Sequence, residues 1–449
     1  MEQNLMKQQL DGGLIMQTLD EDPALLDDLA DFHGAVQRDE GEADALDVTH
    51  WIRDFASGRL PSMTHADMYM VIDPARHAPG DGGSIVSAVN LVPQTWHYED
   101  VPFGLGRIEV VATHKDYRHR RLVRAQIDAA HARSTELGLL ATGITGIPNY
   151  YRRFGYTRAI PTWGRYSLPF YEITDGAPEH FTLRPVALDD AGRLSAWDAY
   201  RAREAGVSII RTPELWRYEI SGHTPSSPVA WQVFVIRRQA TGEDVGYVAL
   251  RFSLAWNDSI LVSYVVGDGA SYVETYSDVL RGIRDSARAY FTANGKEAKE
   301  RLFIDSNIHP ALDLLLQNQV QTFESPNNWY MRVPDLPAFL MHIAPVLERR
   351  LEGSAAHRYS GLLNIGFYNR SGLRLTFAQG KLVSAEQVAM EREEYTAAFA
   401  DLTFLNVLLG CQTRRETRAL FDENYALPVG RVLIDTLFPR RPSFVIGVA

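Results

Sequence analysis

The sequence predicts an α/β protein in which one strand and helix pattern occurs twice and is followed by a smaller α+β module. Three observations carry this. The 449 residues exceed what one hydrophobic core supports, since single cores stop growing at roughly 250 to 300 residues. Short apolar runs alternate with segments of helical spacing through residue 330, and their order after residue 180 repeats the order before it. Beyond that point, strands joined by "NRSG" and "AQGK" read as hairpins among helices.

In the first unit, "LIMQTL" reads as a strand. "DPALLDDLADFHGAVQ" follows with helical spacing and acids in its first turn, where the helix dipole favours them. "EGEADALDVTHWIRDFASG" is a second helix ending near Gly58. "DMYMVID" and "SIVSAVNLVPQTWHY" are strands around the turn-rich "HAPGDGGS". With no lysine and no following helix, that glycine cluster reads as a hairpin rather than a phosphate loop. "LGRIEVVAT" is a strand, "RRLVRAQIDAAHARSTELG" a helix and "LLATGIT" a strand. "IPNYYRRFGYTRAI" then gives a short helical turn and a further strand.

The second unit starts with "FTLRPVALDDAGRLSAWDAY", a strand and a helix. Strands "WQVFVIRR", "GYVALRFS" and "ILVSYVV" follow, then the helix "SDVLRGIRDSARAYFTANG", the strand "RLFID" and the helix "HPALDLLLQ". In the last hundred residues "APVLERRLEGS", "YTAAFADLTFLNVLLGC" and "TRRETRALFDEN" read as helices, and "GRVLIDTLFPRRPSFVIGVA" as an apolar segment that docks on a neighbouring unit.

Composition excludes several functions. Apolar residues are 45% and charged residues 22%, ordinary for a globular chain, and no apolar run reaches the roughly 20 residues that cross a bilayer. The polar start lacks a signal-peptide core, so a cytoplasmic protein with no membrane partner is expected. A net charge of -11 argues against a nucleic-acid binder and suits a cationic small substrate. Cys411 is the one cysteine, which removes internal disulfides and thiolate metal clusters; its apolar setting points to burial. His114 and His119 match no zinc spacing, and no metal is expected.

The stretch "VVATHKDYRHRRLVRA" runs from strand through loop to helix start with Arg118, Arg120, Arg121 and Arg124 around the turn. A helix N-terminus offers unpaired N–H groups and a positive dipole end, so the layout suits an anionic, phosphate-bearing cofactor. "VVATHKDYRHRRLVRAQIDAA" resembles motif A of the GCN5-related N-acetyltransferases (GNAT), whose R/Q-x-x-G-x-G/A loop binds the pyrophosphate of acetyl-CoA. "NYYRRFGYTRA" resembles their Y-x-x-F-G-Y segment, and "FTLRPVALDDAGRL" the opening of a second such domain. With a sterol-carrier-like remainder, the chain resembles the Eis-like acetyltransferases over nearly its whole length.

The resemblance implies tandem GNAT folds with mixed central sheets, over 1–173 and 181–335, and a sterol-carrier-like domain over 336–449. It implies transfer of acetyl from acetyl-CoA to a primary amine of a small cationic acceptor in a ternary complex. It also implies a homo-oligomer, with a hexamer as one candidate. Cofactor contacts would come from Val111, Ala112, Thr113, Arg118, His119, Arg120, Arg121, Leu122 and Val123. Arg121 and Val123 stand where the motif has glycine. If position 121 is left-handed, arginine there costs about 1 to 2 kcal/mol. Tyr151 occupies the position of the family's acid, with Tyr150 as its rival.

Glu109 alternates with Val111 and Thr113 along one strand; it is either a base acting through water or a paired strand residue. The terminal carboxylate that Eis-like enzymes place at the catalytic centre would here belong to Ala449. In the second unit "GDGASYVETYSDVLRGI" replaces the arginine loop, which argues against a second pyrophosphate site. The acidic segments "DEDPALLDDLAD" and "QRDEGEAD" either recognise a polyamine-like or aminoglycoside-like acceptor or form a solvated face. A non-catalytic ligand-binding protein on a degenerate GNAT scaffold is the competing reading, and a partner-binding assembly protein is a third.

Overall fold

Alternating apolar residues in the first strands bury two faces at once, and helices cover both. The computed structural model describes residues 7–38, 45–162, 165–254, 256–305, 309–324, 327–400 and 402–447. Its first sheet contains β1 (Gln8–Gln9), β2 (Ile15–Thr18), β3 (Met68–Ile72), β4 (Ile85–Tyr98), β5 (Val101–Thr113), β6 (Ala141–Ile144) and β7 (Thr157–Pro161). A distant strand, β16 (Asn328–Arg332), inserts between β6 and β7, giving the order β1-β2-β3-β4-β5-β6-β16-β7.

On one face Leu29, Ala30 and Phe32 of α1 (Leu26–Gln37) and Ile52 and Phe55 of α2 (Leu46–Ala56) pack against Met68, Met70, Ile85 and Val92. On the other, Ile127 and Ala130 of α3 (Leu122–Glu136) pack against Tyr69, Val89, Leu91 and Ile108. Tyr69 thus turns away from Met68 and Met70, as a period of two requires.

The second sheet repeats the plan with β8 (Arg165–Pro169), β9 (Phe181–Pro185), β11 (Gln232–Arg238), β12 (Asp244–Ser253), β13 (Asp258–Val266), β14 (Arg301–Asp305) and β15 (Gln321–Glu324), ordered β15-β8-β14-β13-β12-β11-β9. Its helices include α4 (Ala191–Ala202), α5 (Pro213–Ser221) and α6 (Tyr272–Ala293). Both sheets are mixed, as β5 and β6, and β13 and β14, run parallel among antiparallel pairs.

β8 lies in the second sheet, against β14, while β16 lies in the first, so the sheets exchange strands across the boundaries expected at 173 and 335. The sequence reading assigns no strand to β8, β15 or β16. It also starts β5 too late: the strand begins at Val101 and forms one long hairpin with β4.

The third sheet joins Gly361–Gly366, Ser371–Ala378 and Lys381–Ala389 as hairpins, and adds Ala397–Ala398 and Tyr425–Ala426. The helix expected over "YTAAFADLTFLNVLLGC" shrinks to Phe404–Leu408. Its first part instead extends the sheet, with Thr396 N–H donating to Asn364 O at 2.9 Å and Phe399 N–H to Gly366 O at 3.0 Å, so tertiary pairing overrides helix propensity. The apolar segment Ser443–Phe444 docks away from its own sheet, parallel to β10 (Val207–Ser208), which also pairs with β4.

Candidate active site

β5 and β6 run parallel but pair only over Leu105–Arg107 and Ala141–Gly143, after which β5 continues to Thr113 and the two strands part. Against β4, Glu109 faces Asn90 and Ala112 faces Ala88, so β5 carries a bulge. Val110 takes a φ of 46°, a conformation that costs a β-branched residue about 1 to 3 kcal/mol. The parting leaves a cleft of about 790 Å³. Val111, Ala112 and Thr113 form one wall, Ile147, Tyr150, Tyr151 and Phe154 another, and the start of α3 closes one end. Val36 and Gln37, at the end of α1, cover it.

The α3 end is built to hold an anion. Arg121, the N-cap, has φ 62° and ψ 18°, the left-handed conformation that glycine adopts without strain, and makes no side-chain cap. The first backbone bond of the helix runs from Ala125 N–H to Arg121 O at 3.2 Å, which leaves the N–H groups of Leu122, Val123 and Arg124 outside the helical ladder. No acid occupies the first turn.

Arg118, Arg121, Arg124 and Arg153 all border the cleft, and among the described residues no carboxylate does. Arg124 lies 4.6 Å from the Phe154 ring centre and Arg153 4.7 Å from that of Tyr150, so aromatic faces orient both guanidiniums. The loop before the helix is pinned by the Tyr117 hydroxyl, which donates to Asp73 Oδ2 at 2.6 Å. That bond holds the Asp73 carboxyl below its ordinary range and raises the Tyr117 phenol.

Of the nine expected cofactor contacts, Val111, Ala112, Thr113, Arg118, His119, Arg121, Leu122 and Val123 border the cleft. Arg120 does not. It stacks 4.6 Å from the Tyr117 ring centre and donates to Asp116 O at 3.4 Å. Thr113 contributes mainly backbone, since its hydroxyl lies 2.9 Å from that of Ser87, which donates to Gln126 at 2.6 Å. Sequence reasoning missed Arg153, whose signal was its i,i+3 spacing from Tyr150 in "YYRRFG", and the cover from α1.

At the other end Tyr151 opens the turn Tyr151–Phe154, with its ring 4% exposed and 5.1 Å from Tyr150 and 6.0 Å from Tyr330. A Cβ on Gly146 would lie 2.7 Å from the Tyr151 ring, so only glycine fits there. The Tyr330 hydroxyl accepts from Asn149 N–H at 2.8 Å and ties β16 to this loop. Burial, then the neighbouring Tyr150, Glu109 and Tyr156, raise the Tyr151 phenol above its ordinary range, so it stays protonated.

Glu109 does not border the cleft. The bulge at Val110 breaks the alternation expected from Glu109 to Val111 and Thr113, and the buried Glu109 forms an ion pair with Arg107. Its Oε2 also accepts from Val110 N–H at 3.1 Å. Its charge reaches Tyr151 on one side, while Arg107 borders a second cavity, of about 100 Å³, on the other. The pair therefore stands between the two spaces.

Ala449 lies outside the described residues, as does most of "QRDEGEAD". In "DEDPALLDDLAD", Asp27 and Asp31 pair with Arg53 at 3.1 and 3.7 Å and border neither space.

A cationic cleft at a parted parallel strand pair, ending on an open helix start, sets the frame for comparison with known proteins. Residues 26–159 match the acetyltransferase (GNAT) domain. The match runs from α1 into β7, the elements that carry the cleft.

Solved structures resemble the whole chain. A GCN5-related N-acetyltransferase from Anabaena variabilis is 14% identical with a TM-score of 0.63, covering 98% of each chain. One from Kribbella flavida is 16% identical with a TM-score of 0.64, covering 95% of this chain and 97% of that one. Eis1 from Mycobacterium abscessus is 12% identical with a TM-score of 0.56, covering 96% and 98%. At these identities the likeness is one of fold. No curated protein matches the chain.

Proposed function

We propose that the protein is an acetyl-CoA-dependent N-acetyltransferase that moves acetyl directly to a primary amine, with one active site, in the cleft between β5 and β6. The observation that carries this is the cleft's lining: four arginines and an uncapped helix start, with no carboxylate among the described residues, in a chain of net charge -11. Pyrophosphate oxygens would take the N–H groups of Leu122, Val123 and Arg124, with the Arg118 and Arg153 guanidiniums around them and Arg121 contributing its left-handed turn. Pantetheine would lie along the unpaired edge of β5 at Val111–Thr113, whose N–H groups also face the oxyanion that develops at the thioester carbonyl.

The neutral amine nitrogen attacks the thioester carbon, and the C–S bond breaks with its electron pair going to sulfur. The proton shed by the amine leaves through water, since Glu109 is held in its pair with Arg107 and does not border the cleft. Tyr151 donates its O–H to the departing sulfur. A phenol raised above 10 is a weaker acid than a thiol near 8.5, so its main contribution is a hydrogen bond to the thiolate. An acyl-cysteine route finds no support, because Cys411 packs against the core shared with the third sheet and burial pushes its thiol up to about 12.

On the same reading, residues 181–335 form a second GNAT-like unit without a cofactor and 336–449 a sterol-carrier-like domain, in a cytoplasmic homo-oligomer. Calorimetric titration with acetyl-CoA tests the core of it. Micromolar binding is the expected result. No heat near a millimolar would transfer the lead to a non-catalytic ligand-binding protein on this scaffold.

A further inference from the structure

This inference rests on the acetyltransferase reading and concerns what keeps the anion loop in shape. The turn leading into α3 is strained twice. His119 and Arg121 take φ of 66° and 62°, left-handed conformations that a residue with a Cβ enters only at a cost. Such backbone persists where its surroundings over-determine it.

Here the surroundings converge on Tyr117. Its ring packs on the cluster of Leu14, Met16, Val71, Val86 and Leu122, which joins β2, β3 and β4 to the first residue of α3. Its hydroxyl donates to Asp73 Oδ2 at 2.6 Å, a bond strengthened by the carboxylate charge. The Arg120 guanidinium lies 4.6 Å from the ring centre. Arg120, which turns from the cleft that Arg118, Arg121 and Arg124 border, thus folds the turn back onto its own anchor.

The anchor is itself fixed. Asp73 stands at the base of the β3–β4 hairpin, where its N–H donates to Ser84 O at 2.9 Å and its Oδ1 accepts from Ala75 N–H at 2.9 Å. Arg76 spans the connection, donating to Asp81 O at 2.8 Å and to Asp81 Oδ2 at 2.7 Å. A Cβ on Gly82 would overlap Phe32 of α1, and one on Gly83 the Asp28 carboxylate, so the glycines of "HAPGDGGS" seat the hairpin on α1.

We propose that Asp73, Tyr117 and Arg120 form a clamp that compensates for arginine at the motif's glycine position, by holding residues 118–121 in the conformation that presents the α3 N–H groups to acetyl-CoA. Asp73 and Tyr117 are then positioning residues, acting through the backbone they hold. Without the clamp the loop spends less time in the binding conformation, and the apparent Kd rises by the fraction lost.

The test is calorimetric titration of the full chain with acetyl-CoA. Tyr117→Phe keeps the ring and its stacking and removes one hydrogen bond, and it should raise Kd about tenfold. Asp73→Ala should do the same, and covers the case in which the phenylalanine variant does not fold. Asp73→Asn, which keeps an acceptor oxygen, should recover most of the affinity. The deciding measurement places Tyr117→Phe or Asp73→Ala on Arg121→Gly, where the left-handed turn at 121 is no longer strained. There the penalty should shrink to about threefold or less, a coupling that general support of the fold would not produce. Equal penalties in the two backgrounds would overturn the compensation, and an unchanged Kd in the single variants would overturn the clamp. Heat from the wild type with unaffected variants removes the clamp alone, whereas no heat from the wild type removes the acetyltransferase reading and the clamp with it.

Discussion

Helices α3 and α6 start at corresponding places, and only one of them is open. Each follows a strand that parts from its parallel neighbour after three paired residues, Leu105–Arg107 in the first sheet and Ser259–Leu261 in the second. In both sheets the register against the preceding strand slips near the parting. At α6, Ser271 caps the helix by accepting from Glu274 N–H at 3.2 Å, and Glu274 accepts from Ser271 N–H at 3.0 Å. The space beyond is occupied by Tyr272 stacked 4.3 Å from His309, with Phe444 6.0 Å from the same imidazole. At α3 the residues in the same positions are Arg121 and Arg124, and neither caps. The same backbone device is thus closed by a serine and a glutamate in one unit and left uncapped in the other.

The interiors differ as well. In α4 the buried Asp198 accepts from Trp216 Nε1 at 3.1 Å and from the Tyr247 hydroxyl at 2.6 Å. In α1 the buried His33 has no hydrogen-bond partner among the described residues, and burial lowers its imidazole to about 3.

The largest effect expected is at Tyr151, which the proposed mechanism places at the departing sulfur. Tyr151→Phe should lower kcat about 100-fold while the acetyl-CoA Kd changes less than threefold. Full turnover in that variant would remove Tyr151 from the mechanism.

Next comes a direct exchange of helix starts. The double change Arg121→Ser with Arg124→Glu writes the α6 cap onto α3, and calorimetry should find acetyl-CoA binding weakened at least about tenfold. The reverse change, Ser271→Arg with Glu274→Arg, should yield no second binding event, because Tyr272 and His309 still fill that space.

The contrast between His33 and Asp198 gives a pH effect. Between an unfolded value near 6.5 and a folded value of about 3, the unfolded chain binds the extra proton, so stability falls as pH drops through that window. At pH 5 the loss is about 2 kcal/mol relative to neutral pH, and denaturant titrations of His33→Leu should lack that part of the slope. The smallest effect is Arg121→Gly, which should raise stability by about 1 kcal/mol by relieving the left-handed strain, with cofactor affinity kept or improved. A large loss of affinity would show that the guanidinium at 121 grips phosphate.

Much of this architecture can be read from the chain. The acids opening α1, the hairpin signals "NRSG" and "AQGK", and the arginine loop before α3 are local, and local signals survive into the fold. Position 121 was legible because the motif alignment put arginine where a left-handed residue is needed. The bulge at Val110 was not legible, since a run of valines carries no turn residue to announce it, and it decides that Glu109 turns away from the cleft. The strand Asn328–Arg332 was missed for a different reason. Its partners are β6 and β7, more than 160 residues earlier, and no pattern within five residues encodes so distant a choice.

That exchanged strand also sets a clock on biosynthesis. Until β16 emerges, β6 and β7 lack the strand that joins them, and the Tyr330 hydroxyl that steadies Asn149, two residues from Tyr151, does not yet exist. At about 5 to 20 residues per second, a ribosome needs roughly 10 to 30 s to travel from the end of β7 to β16. Throughout that interval the nascent first unit holds an unfilled slot in its sheet, so the first sheet is completed only after the second unit has been almost wholly translated.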